Sequence, residues 1–144
     1  MPPVLASLNS EEKKPVSLFA GKRVVIVEDE GITQMQLRRM LKHVGLIVLD
    51  SAVNGPEGVE IVLRERPDIV LMDIRMPGAF DGLEAARRIL AEVNVCIIML
   101  TAFSDEEYRK QAEAVNTCGY VIKPVTTESL IPEIEVAFRN FCYH

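Results

Sequence analysis

Three acidic residues in a row, Glu28-Asp29-Glu30, follow directly on an apolar run, and a single aspartate, Asp73, follows directly on another. Thr101 and Lys123 close two further apolar runs in the same way. Carboxylates brought together repel unless a cation joins them. An all-oxygen donor set favours a hard ion, and Mg2+ commonly takes one or two carboxylates while keeping some waters. An EF-hand calcium loop is excluded, because Asp29 and Asp73 lie far apart in the chain. Histidine and cysteine chemistry is thinly supplied. His43 sits in a helical pattern between Lys42 and Val44, and the other histidine is His144. Cys96, Cys118 and Cys142 are an odd number with no Cys-x-x-Cys pair, giving neither a disulfide framework nor a zinc site. Cys96 lies inside an apolar run and reads as a packing residue.

The elements that must position these groups are legible as two alternating patterns. Val24–Val27, Leu46–Leu49, Ile69–Met72, Val95–Leu100 and Tyr120–Ile122 are short apolar runs rich in β-branched residues, the signature of strands buried on both faces. Between them lie helical stripes. Leu37, Met40, Leu41 and Val44 form the first, stopped by Gly45. Asn54 caps the second, with Pro56 in its first turn and Val59, Val62 and Leu63 as its stripe, and Pro67 ends it. Asp81 caps the third, with Leu83, Ala86 and Leu90 inward. Ser104-Asp105-Glu106-Glu107 reads as a capping box for the fourth, whose thin stripe of Tyr108, Ala112 and Val115 predicts the weakest anchoring. The fifth carries Leu130, Ile134, Ala137, Phe138 and Phe141, with Pro132 awkwardly near its start. Five strands alternating with five helices predict an α/β fold: a doubly wound parallel sheet of flavodoxin-like (βα)5 type. If the strand order is 2-1-3-4-5, the acids after the first and third strands meet at the reversal point, where open sheets bind ligands.

Composition agrees with one such domain. The chain has 144 residues, 49% hydrophobic and 26% charged, with net charge −5. The acidic balance argues against a surface built to neutralise nucleic-acid phosphates. No apolar stretch approaches a membrane span and the first residues lack the pattern of a signal peptide, so a cytoplasmic location is expected. Residues 1–20 carry Pro2, Pro3 and Pro15 without sustained periodicity and read as an N-terminal extension, with the domain at 21–144.

Four segments together resemble the receiver domain of two-component response regulators: Val-Val-Ile-Val-Glu28-Asp29-Glu30, Leu71-Met72-Asp73-Ile74-Arg75-Met76-Pro77, Met99-Leu100-Thr101-Ala102 and Tyr120-Val121-Ile122-Lys123-Pro124. Each is weak alone; four in order are specific. The resemblance implies that Asp73 accepts a phosphoryl group from a sensor histidine kinase or phosphotransfer protein. It implies Mg2+ held by Asp29, Asp73 and the Arg75 backbone carbonyl, with Glu28 direct or through water. Lys123, the Thr101 hydroxyl and the Ala102 N–H would bind phosphoryl oxygens, and Thr101 and Tyr120 would form the switch. The output face would be the fourth helix, fifth strand and fifth helix. It would meet a downstream protein or a second copy of the chain, with no membrane contact and no direct nucleic-acid binding.

Two departures bear on the expectation. Gly78, Ala79 and Phe80 make the loop before Asp81-Gly82 one residue longer than is common in the family, with Phe80 expected to pack that loop. Arg75 and Phe103, each two residues beyond a site residue, suggest obstructed water attack and a persistent phosphoryl group. The segment Ser129–Glu135 resembles receivers joined to RNA-binding ANTAR modules, yet the chain stops at His144, too soon for that module, so a stand-alone receiver and a truncated one both remain open. Three rivals stand beside the switch: a degenerate receiver that only binds partners, an aspartate-nucleophile phosphatase and a flavodoxin-like cofactor binder. Arg75 occupies the place where the phosphatases carry a second aspartate, and the acids after the first strand would repel a flavin phosphate.

Overall fold

Runs of β-branched residues pack well on a pleated surface that is covered from both sides. The computed structural model describes residues 19–102 and 104–143. Its elements are β1 (Arg23–Val27), α1 (Gly31–His43), β2 (Ile47–Val48), α2 (Gly55–Glu65), β3 (Ile69–Asp73), α3 (Gly82–Glu92), β4 (Cys96–Thr101), α4 (Glu106–Ala114), β5 (Gly119–Ile122) and α5 (Thr127–Cys142). All strand pairs are parallel and the order is β2-β1-β3-β4-β5, the expected flavodoxin-like topology.

Strand alternation sorts the core into two layers. Val25, Val27, Val70, Met72, Ile97 and Met99 pack against buried residues of α2, α3 and α4. Val24, Ile26, Ile69, Leu71, Cys96, Ile98 and Leu100 pack against α1 and α5 on the other side. The three central strands are therefore buried on both faces, as their composition predicts.

The two edges are not. β2 shrinks to two residues with Ile47 51% exposed, and in β5 Tyr120 and Ile122 are 39% and 37% exposed while Val121 is buried. An edge strand loses its neighbour on one side, so an apolar run there need not be fully covered. Phe19, inside the stretch read as an extension, is buried against the α1 side of the core, so the packed body includes it. The rest of that extension, residues 1–18, lies outside the described residues, as do Phe103 and His144.

Local signals behave unevenly. Asn54 and Asp81 accept from the Glu57 and Glu84 N–H groups and cap α2 and α3 as their side chains predict. The capping box expected at Ser104 does not form. Asp105 is the N-cap residue of α4 but makes no side-chain cap bond, because its carboxylate is engaged elsewhere. At α5 the capping box is Thr126 with Ser129, which fixes the start of the helix ahead of Pro132. Pro132 is exposed, so water can serve the carbonyl that the ring leaves unbonded.

The β3–α3 loop positions the site by a close backbone approach. Gly82 donates to the Ile74 carbonyl at 2.8 Å, and a Cβ on Gly82 would collide with the Asp73 carbonyl oxygen. Overpacking against rigid backbone has no cheap relief, so Gly82→Ala should lower stability by about 3 kcal/mol in urea unfolding. A loss under about 0.5 kcal/mol would show the loop to be compliant. Phe80, the expected loop-packing residue, does lie against the core, with the Arg88 guanidinium 3.9 Å from its ring centroid.

Candidate functional site

The carboxyl ends of β1, β3, β4 and β5 bring the expected side chains to one edge of the sheet. Asp73 is the last residue of β3 and only 4% exposed; Glu28, one residue past β1, is fully buried. One carboxylate oxygen from each of Glu28, Asp29 and Asp73 lies within 4.8 Å of the others, and Asp29 is the exposed member. Lys123 follows β5 and reaches across, its Nζ 2.9 Å from Asp73 Oδ2 and 3.3 Å from Glu28 Oε1. Glu28 Oε2 accepts from the Glu30 N–H at 3.1 Å, and Asp73 Oδ1 from the Arg75 N–H at 3.4 Å.

Two buried carboxylates thus share one ammonium, with the exposed Asp29 carboxylate beside them. Burial pushes the Glu28 carboxyl up to about 7, and the nearby Asp73 charge adds to this; the Glu30 N–H and Lys123 oppose it. Burial also raises Asp73, against the pull of Lys123. Burial works against the Lys123 ammonium, but the two acids outweigh it and raise its pKa. The cluster carries more negative charge than its lysine balances. Glu28 Oε1 is buried without a hydrogen bond, and every side chain of the cluster offers a carboxylate oxygen. That donor set fits a hard divalent cation such as Mg2+.

A pH effect follows from Glu28. The folded form holds a proton between pH 4.5 and about 7 that the unfolded chain has released, so stability falls as pH rises through that window and levels off above it. The loss should reach at most about 3 kcal/mol in metal-free buffer. Glu28→Gln should flatten it, read by urea unfolding at pH 5 and pH 8; equal pH slopes for the two proteins would refute the assignment.

Thr101, the last residue of β4, is fully buried and its Oγ1 has no hydrogen-bond partner. The Thr101 carbonyl accepts from the Lys123 N–H at 2.7 Å, which ties β4 to the lysine. Tyr120 points outward, 39% exposed, with the Arg109 guanidinium 5.3 Å from its ring centroid. The Ala102 N–H is already engaged: it donates to Asp105 Oδ2 at 2.8 Å. Asp105 is 2% exposed, and its other oxygen lies 2.7 Å from Arg75 Nε. The Arg75 guanidinium also lies 5.1 Å from the Tyr108 ring centroid.

Glu28, Asp29, Asp73, Arg75, Thr101, Ala102 and Lys123 therefore reach this edge, whereas the Tyr120 ring faces away and Phe103 lies outside the described residues. In the sequence Asp105 signals only helix-start chemistry, and Arg75 only its carbonyl and bulk. Nothing in their spacing announces that the two side chains pair.

A family model described as the response regulator receiver domain matches residues 24–135. The transcriptional regulatory protein PdtaR of Mycobacterium tuberculosis is 38% identical over 120 residues, covering 83% of this chain and 58% of PdtaR. The chain thus spans little more than half of that relative. Among solved structures, the signal receiver domain of a modulated diguanylate cyclase from Desulfovibrio desulfuricans is 39% identical with TM-score 0.78, covering 85% of this chain and 98% of that one. A CheX-CheY-BeF3-Mg complex from Borrelia burgdorferi is 26% identical with TM-score 0.77, covering 83% and 90%.

Proposed function

The chain belongs to the response regulator receiver domain family of two-component systems, and from that premise we propose that it is a signalling switch whose phosphoacceptor is Asp73. The observation that carries this reading is the Asp73 carboxylate at the end of β3, within 4.8 Å of two further acids and held by Lys123 at 2.9 Å. An Asp73 oxygen attacks phosphorus in a histidine kinase's or phosphotransfer protein's phosphohistidine; the P–N bond breaks and an acyl phosphate forms.

Phosphoryl transfer asks the protein for positioning and charge neutralisation. Mg2+ held by Asp29, Asp73 and the Arg75 carbonyl, with Glu28 direct or through water, would supply neutralisation of phosphoryl oxygens. The related complex named with BeF3 and Mg supports that ion. Lys123 neutralises a second oxygen, and the unpartnered Thr101 hydroxyl is free to donate to a third. Thr101 moving toward the phosphoryl group vacates the space into which Tyr120 turns from its outward position. The α4–β5–α5 face then carries the change to a downstream protein or a second copy.

The chain is read as a signalling domain rather than a turnover enzyme. Among the described residues no helix is long and apolar enough to cross a membrane. The test is to incubate the protein with Mg2+ and acetyl phosphate or phosphoramidate. The expected result is one added phosphoryl mass on the peptide containing Asp73. No gain with either donor would leave the interaction-module reading in its place.

A further inference from the structure

The Asp105 carboxylate makes a contact that its position does not require. An N-cap aspartate ordinarily accepts from N–H groups of its own helix's first turn. Asp105 makes no such bond. It turns back to the end of β4 and takes the Ala102 N–H at 2.8 Å, the donor that the proposed function reserves for a phosphoryl oxygen. A carboxylate only 2% exposed needs compensation, and Arg75 provides it at 2.7 Å from the exit of β3, two residues beyond Asp73.

We propose that Asp105 is a built-in occupant of the phosphoryl-oxygen position at the Ala102 N–H, clamped there by Arg75 and displaced when Asp73 is phosphorylated. This rests on the phosphoacceptor reading above. The Ala102 N–H has one hydrogen, so the carboxylate and a phosphoryl oxygen compete for it. An acyl phosphate adds a charge of about −1.5 to −2, and two anions at one donor repel. Displacement of Asp105 frees Arg75 from its acidic partner. It also removes a tether immediately ahead of α4, whose only buried residue is Ala112. The contact therefore links occupancy at Asp73 to the position of α4, and it holds the unphosphorylated arrangement by the differential affinity that any such equilibrium requires.

The test uses beryllofluoride with Mg2+ as a non-hydrolysing phosphoryl stand-in, with binding followed by NMR titration. Asp105→Ala should bind it about tenfold more tightly than wild type, the order of one charge-assisted hydrogen bond. Asp105→Asn keeps an acceptor but not the ion pair and should gain less. Glu106→Gln removes a neighbouring exposed charge and serves as the electrostatic control, with a change under about twofold. In the free protein the Ala102 amide should exchange with solvent faster in Asp105→Ala and Arg75→Ala than in wild type. Asp105→Ala binding no more tightly than Glu106→Gln, or unchanged Ala102 exchange, overturns the inference while leaving the phosphoacceptor reading intact. A wild-type protein that binds no beryllofluoride overturns both.

Discussion

Asp73→Asn should take no phosphoryl group from acetyl phosphate or phosphoramidate under conditions where the wild-type protein is modified. An amide oxygen at this position is a poor nucleophile and forms no stable acyl phosphate. The loss should be complete rather than partial, because the neighbouring acids are differently placed: Glu28 is fully buried and ion-paired, and Asp29 is exposed away from Lys123's contacts. The variant should also remain folded. Burial raises the Asp73 pKa, so above neutrality its ionised form costs the folded state more than the unfolded one. Removing that charge leaves Lys123 paired with Glu28 at 3.3 Å and takes away one of the causes that raise Glu28. Stability at pH 8 should be unchanged or up to about 1 kcal/mol higher. Intact-mass spectrometry and urea unfolding on the same sample separate the two effects. A variant that gains phosphoryl mass at the wild-type rate would move the acceptor to another residue.

The sequence was most informative where a single interaction decides the outcome. Burial on both faces selects β-branched runs, so the three central strands could be read with their side-chain alternation. The acids at Glu28, Asp29 and Asp73 could be placed because parallel topology puts carboxyl ends of strands on one edge. Edge strands escaped the same reading, since Ile47, Tyr120 and Ile122 look apolar whether or not a neighbour covers them. The start of α4 escaped for a different reason. Ser104-Asp105-Glu106-Glu107 satisfies a local rule, but a tertiary partner, Arg75, claims the aspartate. Local capping is worth about 1 kcal/mol, and a hydrogen bond from the Ala102 N–H to the buried carboxylate, together with the Arg75 ion pair, outweighs it. Such competition depends on which loop folds beside which, and no window of a few residues contains that information.

Lys123→Ala should produce the largest loss of stability among the site variants, and the loss should depend on pH and metal. Its Nζ is the shared counter-charge of Asp73 and Glu28, which are 4% and 0% exposed. Removing one partner from a buried ion pair typically costs about 3–5 kcal/mol because the other charge is left uncompensated. Here the expected loss at pH 8 without metal is smaller, about 2–3 kcal/mol, because Lys123 is partly exposed and Glu28 can relieve itself by taking up a proton. The lysine's own raised pKa contributes stability that is fully present throughout pH 5–8, so the pH dependence comes from the acids. Without Lys123 the Glu28 carboxyl rises further, and at pH 5 it is protonated and needs no counter-charge. The loss should therefore shrink at pH 5. Excess Mg2+ at pH 8 should recover part of it by replacing one cation with another. Urea unfolding at both pH values, with and without Mg2+, reads all of this. Phosphorylation of the variant by acetyl phosphate should slow by about 10²-fold, the usual scale for losing one charge-stabilising group. A loss below about 1 kcal/mol, equal at pH 5 and pH 8 and indifferent to Mg2+, would mean that water rather than Lys123 balances these carboxylates.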